Sequence, residues 1–173
     1  MKKEKILFHE GEIQEKVKEI ADEINGDFGD EEVVIVPLLR GGFIFASDLV
    51  RHLKMPVCID FMTTSSYGSE EESQGNVKII TDLRENIRDK NVIVVDDIMD
   101  SGNTMSDIFS ILKVRKPKTL SSCVILDKPS RRQVKDMVPD YKGFTIPDVF
   151  IVGYGLNYGR LCRNIPYIYT YDE

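Results

Sequence analysis

The 173-residue chain predicts an α/β domain, a mostly parallel central sheet flanked by helices. Three observations carry that expectation. Short continuous apolar runs recur along the chain, each the length of a strand buried on both faces. Between them, apolar residues recur at spacings of three and four, as on a helix with one face on a core. Several runs also end in turns of glycine or small polar residues, at which a helix begins.

Residues 10–25 place Ile13, Val17, Ile20, Ala21 and Ile24 on one helical face and leave the charges solvated. Gly26-Asp27-Phe28-Gly29-Asp30 reads as a turn-rich break. Residues 33–36 form a buried strand that ends in the turn Pro37-Leu38-Leu39-Arg40-Gly41-Gly42. A helix then follows, marked by Phe43, Ala46, Leu49, Val50 and Leu53. Adjacent glycines permit close backbone approach to a ligand, so this turn is either an anion site containing Arg40 or a plain strand-to-helix connection. Residues 57–62 read as the next strand. From 63 to 76 the chain is rich in Thr, Ser, Gly and Glu and loses periodicity, as a lid over a site or a disordered excursion would. Residues 77–81 suit a returning strand, and 82–90 a polar connection.

The most informative stretch comes next. Val92-Ile93-Val94-Val95 runs into Asp96-Asp97, then Ile98-Met99, Asp100 and Ser101-Gly102-Asn103-Thr104. A helix continues through Ile108, Ile111 and Leu112 until Pro117. A helix N-terminus preceded by small residues favours anions, because its unpaired amides and its dipole act together. Carboxylates beside an anion site make sense if the ligand carries phosphate at one end and hydroxyls or a metal at the other. A ribose phosphate fits that description. Asp100 could equally serve as the helix N-cap.

Residues 119–126 form another buried strand, ending in Asp127-Lys128-Pro129. Lys128 then stands where open α/β sheets bind ligands, unless it is an ordinary solvated lysine. Residues 130–148 are polar, 149–153 are a last clear strand, and 167–171 could add an edge strand. With no internal repeat or linker, residues 1–173 read as a single domain.

The composition, 42% hydrophobic and 30% charged, is that of a globular protein. No apolar run approaches a bilayer span and no signal-peptide pattern follows the N-terminus, so a cytoplasmic location is expected. Cys58, Cys123 and Cys162 lack metal-ligand spacing and read as reduced thiols. A net charge of −6 without a basic stripe argues against nucleic acid, while allowing a small anionic substrate held locally.

Two acids after an apolar strand, two further residues and then Asp100-Ser101-Gly102-Asn103-Thr104 closely resemble the phosphoribosyl pyrophosphate motif of type I phosphoribosyltransferases. Leu39-Arg40-Gly41-Gly42, the Ser66-Tyr67 pair, Leu126-Asp127-Lys128 and the segment from Pro147 to Gly155 fall in the family's order. The resemblance therefore covers nearly the whole chain. Lys128 and Phe150-Ile151 point to the branch that acts on 6-oxopurines.

The resemblance implies the family's fold, with a small hood from the N- and C-terminal segments. It implies Mg²⁺-dependent transfer of a phosphoribosyl group from phosphoribosyl pyrophosphate to hypoxanthine, and to guanine. A xanthine- or guanine-preferring enzyme and an RNA-binding regulator on the same fold are the alternatives. Phosphoribosyl pyrophosphate would be held by Arg40, Gly41, Asp96, Asp97, Asp100, Ser101, Gly102, Asn103, Thr104 and Arg163. Within that set, the 5′-phosphate falls to the turn at 100–104 and the ribose hydroxyls to Asp96 and Asp97. Pyrophosphate falls to a turn whose Leu39-Arg40 peptide is cis, with Arg163 adding charge. Asp100 would handle the purine N7 proton. Lys128 would donate to the 6-oxo group, Phe150 would stack on the base, and main chain at Ile151 would read its edge. The resemblance gives metal binding to Asp96, Asp97 and position 157, where relatives usually carry aspartate and this chain has Asn157. Ser66 and Tyr67 would lie on a loop, about 63–76, that closes over the reacting centre. Family members are dimers or tetramers, and the apolar face near 43–53 could supply the interface.

Overall fold

A computed structural model of the chain describes residues 4–65 and 77–171. In chain order the elements are β1 (Glu4–Phe8), α1 (Glu10–Phe28), β2 (Val33–Leu39), α2 (Phe43–Val50), β3 (Val57–Ile59), β4 (Met62–Ser65) and β5 (Lys78–Thr81). They continue with β6 (Asn91–Met99), α3 (Asn103–Lys113), β7 (Thr119–Asp127), a 3₁₀ turn (Pro129–Arg131), β8 (Tyr141–Thr145), β9 (Ile151–Val152) and β10 (Ile168–Tyr171).

The main sheet has the order β5-β4-β2-β6-β7-β8, with β3 alongside β2. Every pairing is parallel except that of β4 with β5. Alternation along the central strands sorts the core into two layers. Ile35, Ile93, Val95, Cys123 and Ile125 face the side covered by α1 and α2. Val34, Val36, Val92, Val94 and Val124 face the side covered by α3. Burial on both faces explains why these strands read as unbroken apolar runs.

A second, antiparallel sheet of order β1-β10-β9 joins the two ends of the chain, as the resemblance implied. The 167–171 segment is therefore not an edge strand. β10 lies between β1 and β9, because β1, which the periodicity did not reveal, supplies its second partner.

Four further boundaries differ from expectation. Helix α1 continues through Gly26 to Phe28 instead of breaking at 26. Its extra turn is held by partly buried Phe28 on the core and by Asp27, which accepts a 2.6 Å hydrogen bond from the Tyr141 hydroxyl. The 57–62 strand is two strands. They are separated at Asp60, whose carboxylate accepts from the Phe61, Arg84 and Glu85 amides at 2.7–2.9 Å. The polar stretch 130–148 contains β8, an outer strand anchored by buried Tyr141 and by Phe144 stacked on Phe8 at 3.9 Å. Finally, the 149–153 strand shrinks to Ile151–Val152.

The topology places the site. After β2 the chain turns to β3 and β4 on one side of the sheet. After β6 it turns to β7 on the other. The carboxyl ends of β2 and β6 thus flank a switch point in strand order, the crevice where open α/β sheets bind ligands.

Candidate active site

β6 delivers Asp96 and Asp97 to the end of the sheet, and the turn after it carries Asp100. These three acids line one cavity of about 210 Å³ together with Ser101, Gly102 and Thr104. Gly102 precedes α3 with φ +83°, a conformation that glycine adopts without strain. It is the residue at the helix N-cap, so Asp100 is not the cap, and no side chain caps α3. The Ser101 hydroxyl accepts from the Asn103 amide at 3.2 Å. Apart from that bond, a helix start whose N-cap is glycine leaves its further amides and its dipole available to an anion.

The two adjacent aspartates have little room. Asp97 is 8% exposed. Its amide donates to Asp96 Oδ1 at 2.9 Å, and the Ile98 amide donates to Asp97 Oδ1 at 2.8 Å. Burial raises the pKa of Asp96 well above the ordinary aspartate value of 3.8, and the neighbouring charge of Asp97 adds to it. Burial also raises Asp97, opposed by the hydrogen bonding from Asp96 and Ile98 and by the positive charge of Arg163. Two adjacent carboxylates, one buried and one half-buried, favour anything that supplies positive charge between them.

The turn after β2 closes onto this pair. Its Leu39-Arg40 peptide is cis. A β-carbon on Gly41 would lie 2.2 Å from Asp97 Oδ2, so only glycine lets the turn approach the carboxylate. A β-carbon on Gly155 would lie 2.4 Å from the Gly41 carbonyl oxygen, and the Arg163 guanidinium donates to the Gly155 carbonyl. Gly41, Asp97, Gly155 and Arg163 thus form one packed group, although they come from distant parts of the sequence. Arg40 beside them is exposed.

Lys128 is not a solvated lysine. It is 7% exposed, its ammonium donates to the Val149 carbonyl at 2.9 Å, and Asp148 lies 3.7 Å away. Its own amide donates to the Met99 carbonyl at 2.9 Å, which ties it directly to the acidic turn. Phe150 is 55% exposed and therefore not core. Its ring lies across that of Tyr158, 6.1 Å between centroids and close to perpendicular, while Ile151 is buried and pairs with Thr170.

Asn103 is exposed, and its side-chain amide donates to Gln133. Asn157 is exposed too, and its amide is taken by the Gly159 carbonyl at 2.6 Å rather than by the aspartate pair. Ser66 and Tyr67 lie outside the described residues. Among the described residues, no cluster of three or more His, Cys, Asp or Glu side chains is arranged to hold a metal ion. No helix among them is long and apolar enough to cross a membrane.

Sequence reasoning missed two arginines. Arg131 Nε lies 3.3 Å from Asp100 Oδ1, a buried oxygen without an aligned hydrogen bond, and Arg131 Nη1 lies 3.6 Å from Asp148. Arg132 is buried against Asp127 and the acidic turn. The available signal was two consecutive arginines just past Lys128, in a stretch too polar to pack by itself.

Comparison with known proteins gives a consistent result. Residues 5–159 match the phosphoribosyl transferase domain family. The chain is 48% identical over 166 residues to the hypoxanthine phosphoribosyltransferase of Buchnera aphidicola subsp. Schizaphis graminum, covering 95% of this chain and 93% of that protein. It is 47% identical over 173 residues to the hypoxanthine-guanine phosphoribosyltransferase of Aquifex aeolicus, covering 99% and 97%. A crystal structure of a hypoxanthine-guanine phosphoribosyltransferase from Bacillus anthracis superposes with a TM-score of 0.92 at 49% identity, covering 96% of this chain and 97% of that one.

Proposed function

The chain belongs to the phosphoribosyltransferase family, and we propose that it salvages purines by joining hypoxanthine, and also guanine, to the ribose of phosphoribosyl pyrophosphate. The products are IMP or GMP and pyrophosphate. One observation carries the choice of base. A buried lysine, Lys128, bonds through its amide to the turn that carries Asp100, so a 6-oxo reader and a proton acceptor are rigidly linked.

In this reading the amides and hydroxyls at 100–104 hold the 5′-phosphate, and Asp96 and Asp97 accept from the ribose hydroxyls. The Arg40-Gly41 backbone and Arg163 receive the pyrophosphate. Phe150 stacks on the purine, Lys128 donates to its 6-oxo oxygen, and main chain at Ile151 reads its edge. Asp100 takes the N7 proton as the bond to the anomeric carbon forms.

The adjacent oxygen ligands Asp96 and Asp97 fit a hard divalent cation such as Mg²⁺, because each carboxylate is disfavoured as a lone anion there. Bound, the ion supplies charge balance against the polyphosphate. Asn157 offers only a neutral oxygen, so a metal at that position is held weakly. Phe43, Ile59 and Phe61 leave exposed apolar surface around a groove of about 280 Å³, which suits a second copy of the chain in a homodimer or homotetramer.

The deciding experiment mixes the pure protein with phosphoribosyl pyrophosphate, Mg²⁺ and each of hypoxanthine, guanine, xanthine, adenine and uracil. IMP and GMP are the expected products. Preferential formation of XMP would move the assignment to a xanthine enzyme. No nucleotide from any base would end the enzymatic reading and leave an RNA-binding role to test.

A further inference from the structure

Arg132 is a buried cation that reaches none of the surfaces offered to a ligand. Its side chain is 9% exposed, and all three of its guanidinium nitrogens donate within the protein. Nε donates to the Asp100 carbonyl at 3.0 Å, and Nη2 to the Met99 carbonyl at 3.3 Å and to the Asp127 carboxylate. Nη1 donates to the Met137 carbonyl. The side-chain stem runs under Gly102, where a β-carbon would meet Arg132 Cδ at 2.9 Å.

The neighbours of Arg132 in sequence complete the pattern. The Lys128 amide also holds the Met99 carbonyl, at 2.9 Å. The Gln133 and Val134 amides hold the Ser101 carbonyl at 2.9 and 3.2 Å. Three consecutive carbonyls, of Met99, Asp100 and Ser101, are therefore all drawn to the segment 128–134.

A trans peptide is planar, with its C=O and the following N–H on opposite sides. Drawing those three carbonyls one way turns the amides of Asp100, Ser101 and Gly102 the other way. Those three residues line the cavity at the end of β6. Successive amides converging on one concavity are the usual means of gripping a phosphate without a side-chain charge. The middle plane, between Asp100 and Ser101, is set by Arg132 alone among the described residues. It is also the plane from which the Asp100 side chain departs.

Resting on the phosphoribosyltransferase reading, we propose that Arg132 is a positioning residue. Its guanidinium orients the 99–102 peptide planes so that their amides receive the 5′-phosphate and Asp100 stands at the base. A planar fork of five donors can serve two adjacent carbonyls and a carboxylate at once, which an ammonium group cannot. A residue that only neutralised Asp127 could be either arginine or lysine.

That difference supplies the test. Arg132→Lys keeps the charge opposite Asp127 and loses the fork. Its kcat/KM for phosphoribosyl pyrophosphate should fall by about 100-fold, the scale of losing one aligned donor at a charged centre. Ribose 5-phosphate binding, measured by calorimetry, should weaken in parallel, while the KM for hypoxanthine stays within about twofold, because Lys128 and Val149 are untouched. Should the lysine variant fail to fold, the double variant Asp127→Leu with Arg132→Met removes both buried charges and decides the matter, and the same phosphate-selective loss is expected. Wild-type kinetics in whichever variant folds would overturn the proposal, as would a loss that raises the hypoxanthine KM as much as that for phosphoribosyl pyrophosphate. An unmodified protein that makes no nucleotide would instead overturn the reading on which the proposal rests.

Discussion

Gly41 packs against Asp97 so closely that a β-carbon would stand 2.2 Å from the Asp97 Oδ2 oxygen. The turn after β2 and the acidic end of β6 are thereby held together across the switch point of the sheet. Gly41→Ala must push one of them away. Its kcat/KM for phosphoribosyl pyrophosphate should drop by about 100-fold, equivalent to about 2.7 kcal/mol of transition-state stabilisation. Steady-state kinetics alongside circular dichroism checks this, and a folded alanine variant with full activity would contradict the close approach.

Asp100 lines the cavity at the end of β6, with one buried oxygen near Arg131 and no capping role. Asp100→Asn should leave nucleotide binding intact and slow turnover by about 10²- to 10⁴-fold, the usual contribution of a positioned acid–base group. Single-turnover rates together with a binding isotherm for IMP separate the two effects. Undiminished turnover would remove Asp100 from the proton transfer.

Asp96 should weaken the metal-free fold at neutral pH. Its pKa is raised in the folded protein by burial first and by Asp97 second, so the folded state prefers the protonated acid. Stability from that preference is complete below the ordinary value of 3.8 and is lost as pH rises through the raised folded value. Asp96→Asn cannot ionise. In metal-free buffer it should be more stable than the parent at pH 7, by about 1 kcal/mol, a common size for one stabilising substitution. The gain should shrink towards zero as the pH falls below 4. Thermal unfolding at several pH values reads this directly, and a pH-independent difference would show that ionisation is not the cause.

Asn157 stands where the resemblance expects a carboxylate, and its amide is occupied by the Gly159 carbonyl. Asn157→Asp should lower the Mg²⁺ concentration for half-maximal activity by about 10-fold, since a charged oxygen ligand replaces a neutral one. Titrating Mg²⁺ at saturating substrates measures it. An identical Mg²⁺ dependence in both proteins would show that position 157 does not bind the ion.

The local sequence was enough for the parts of this protein whose physics is local. The β6–α3 stretch is one: four β-branched apolar residues specify a buried strand, and the Asp-Ser-Gly-Asn-Thr turn specifies a helix start suited to anions. The acids along it stand at a strand end, where such sheets bind ligands, whereas a ligand role for Lys128 at the end of β7 came only with the family resemblance. Tertiary structure decided whatever depends on a remote partner. β8 is polar by composition and exists because Tyr141 reaches Asp27 and Phe144 stacks on Phe8. β10 became an inner strand because β1, from the other end of the chain, pairs with it. The meeting of Gly41 with Asp97, and the packing of Arg132 beneath the turn at 99–102, carry no periodic signature. Periodicity records which face of an element is buried, but not which distant backbone will come to lie against it.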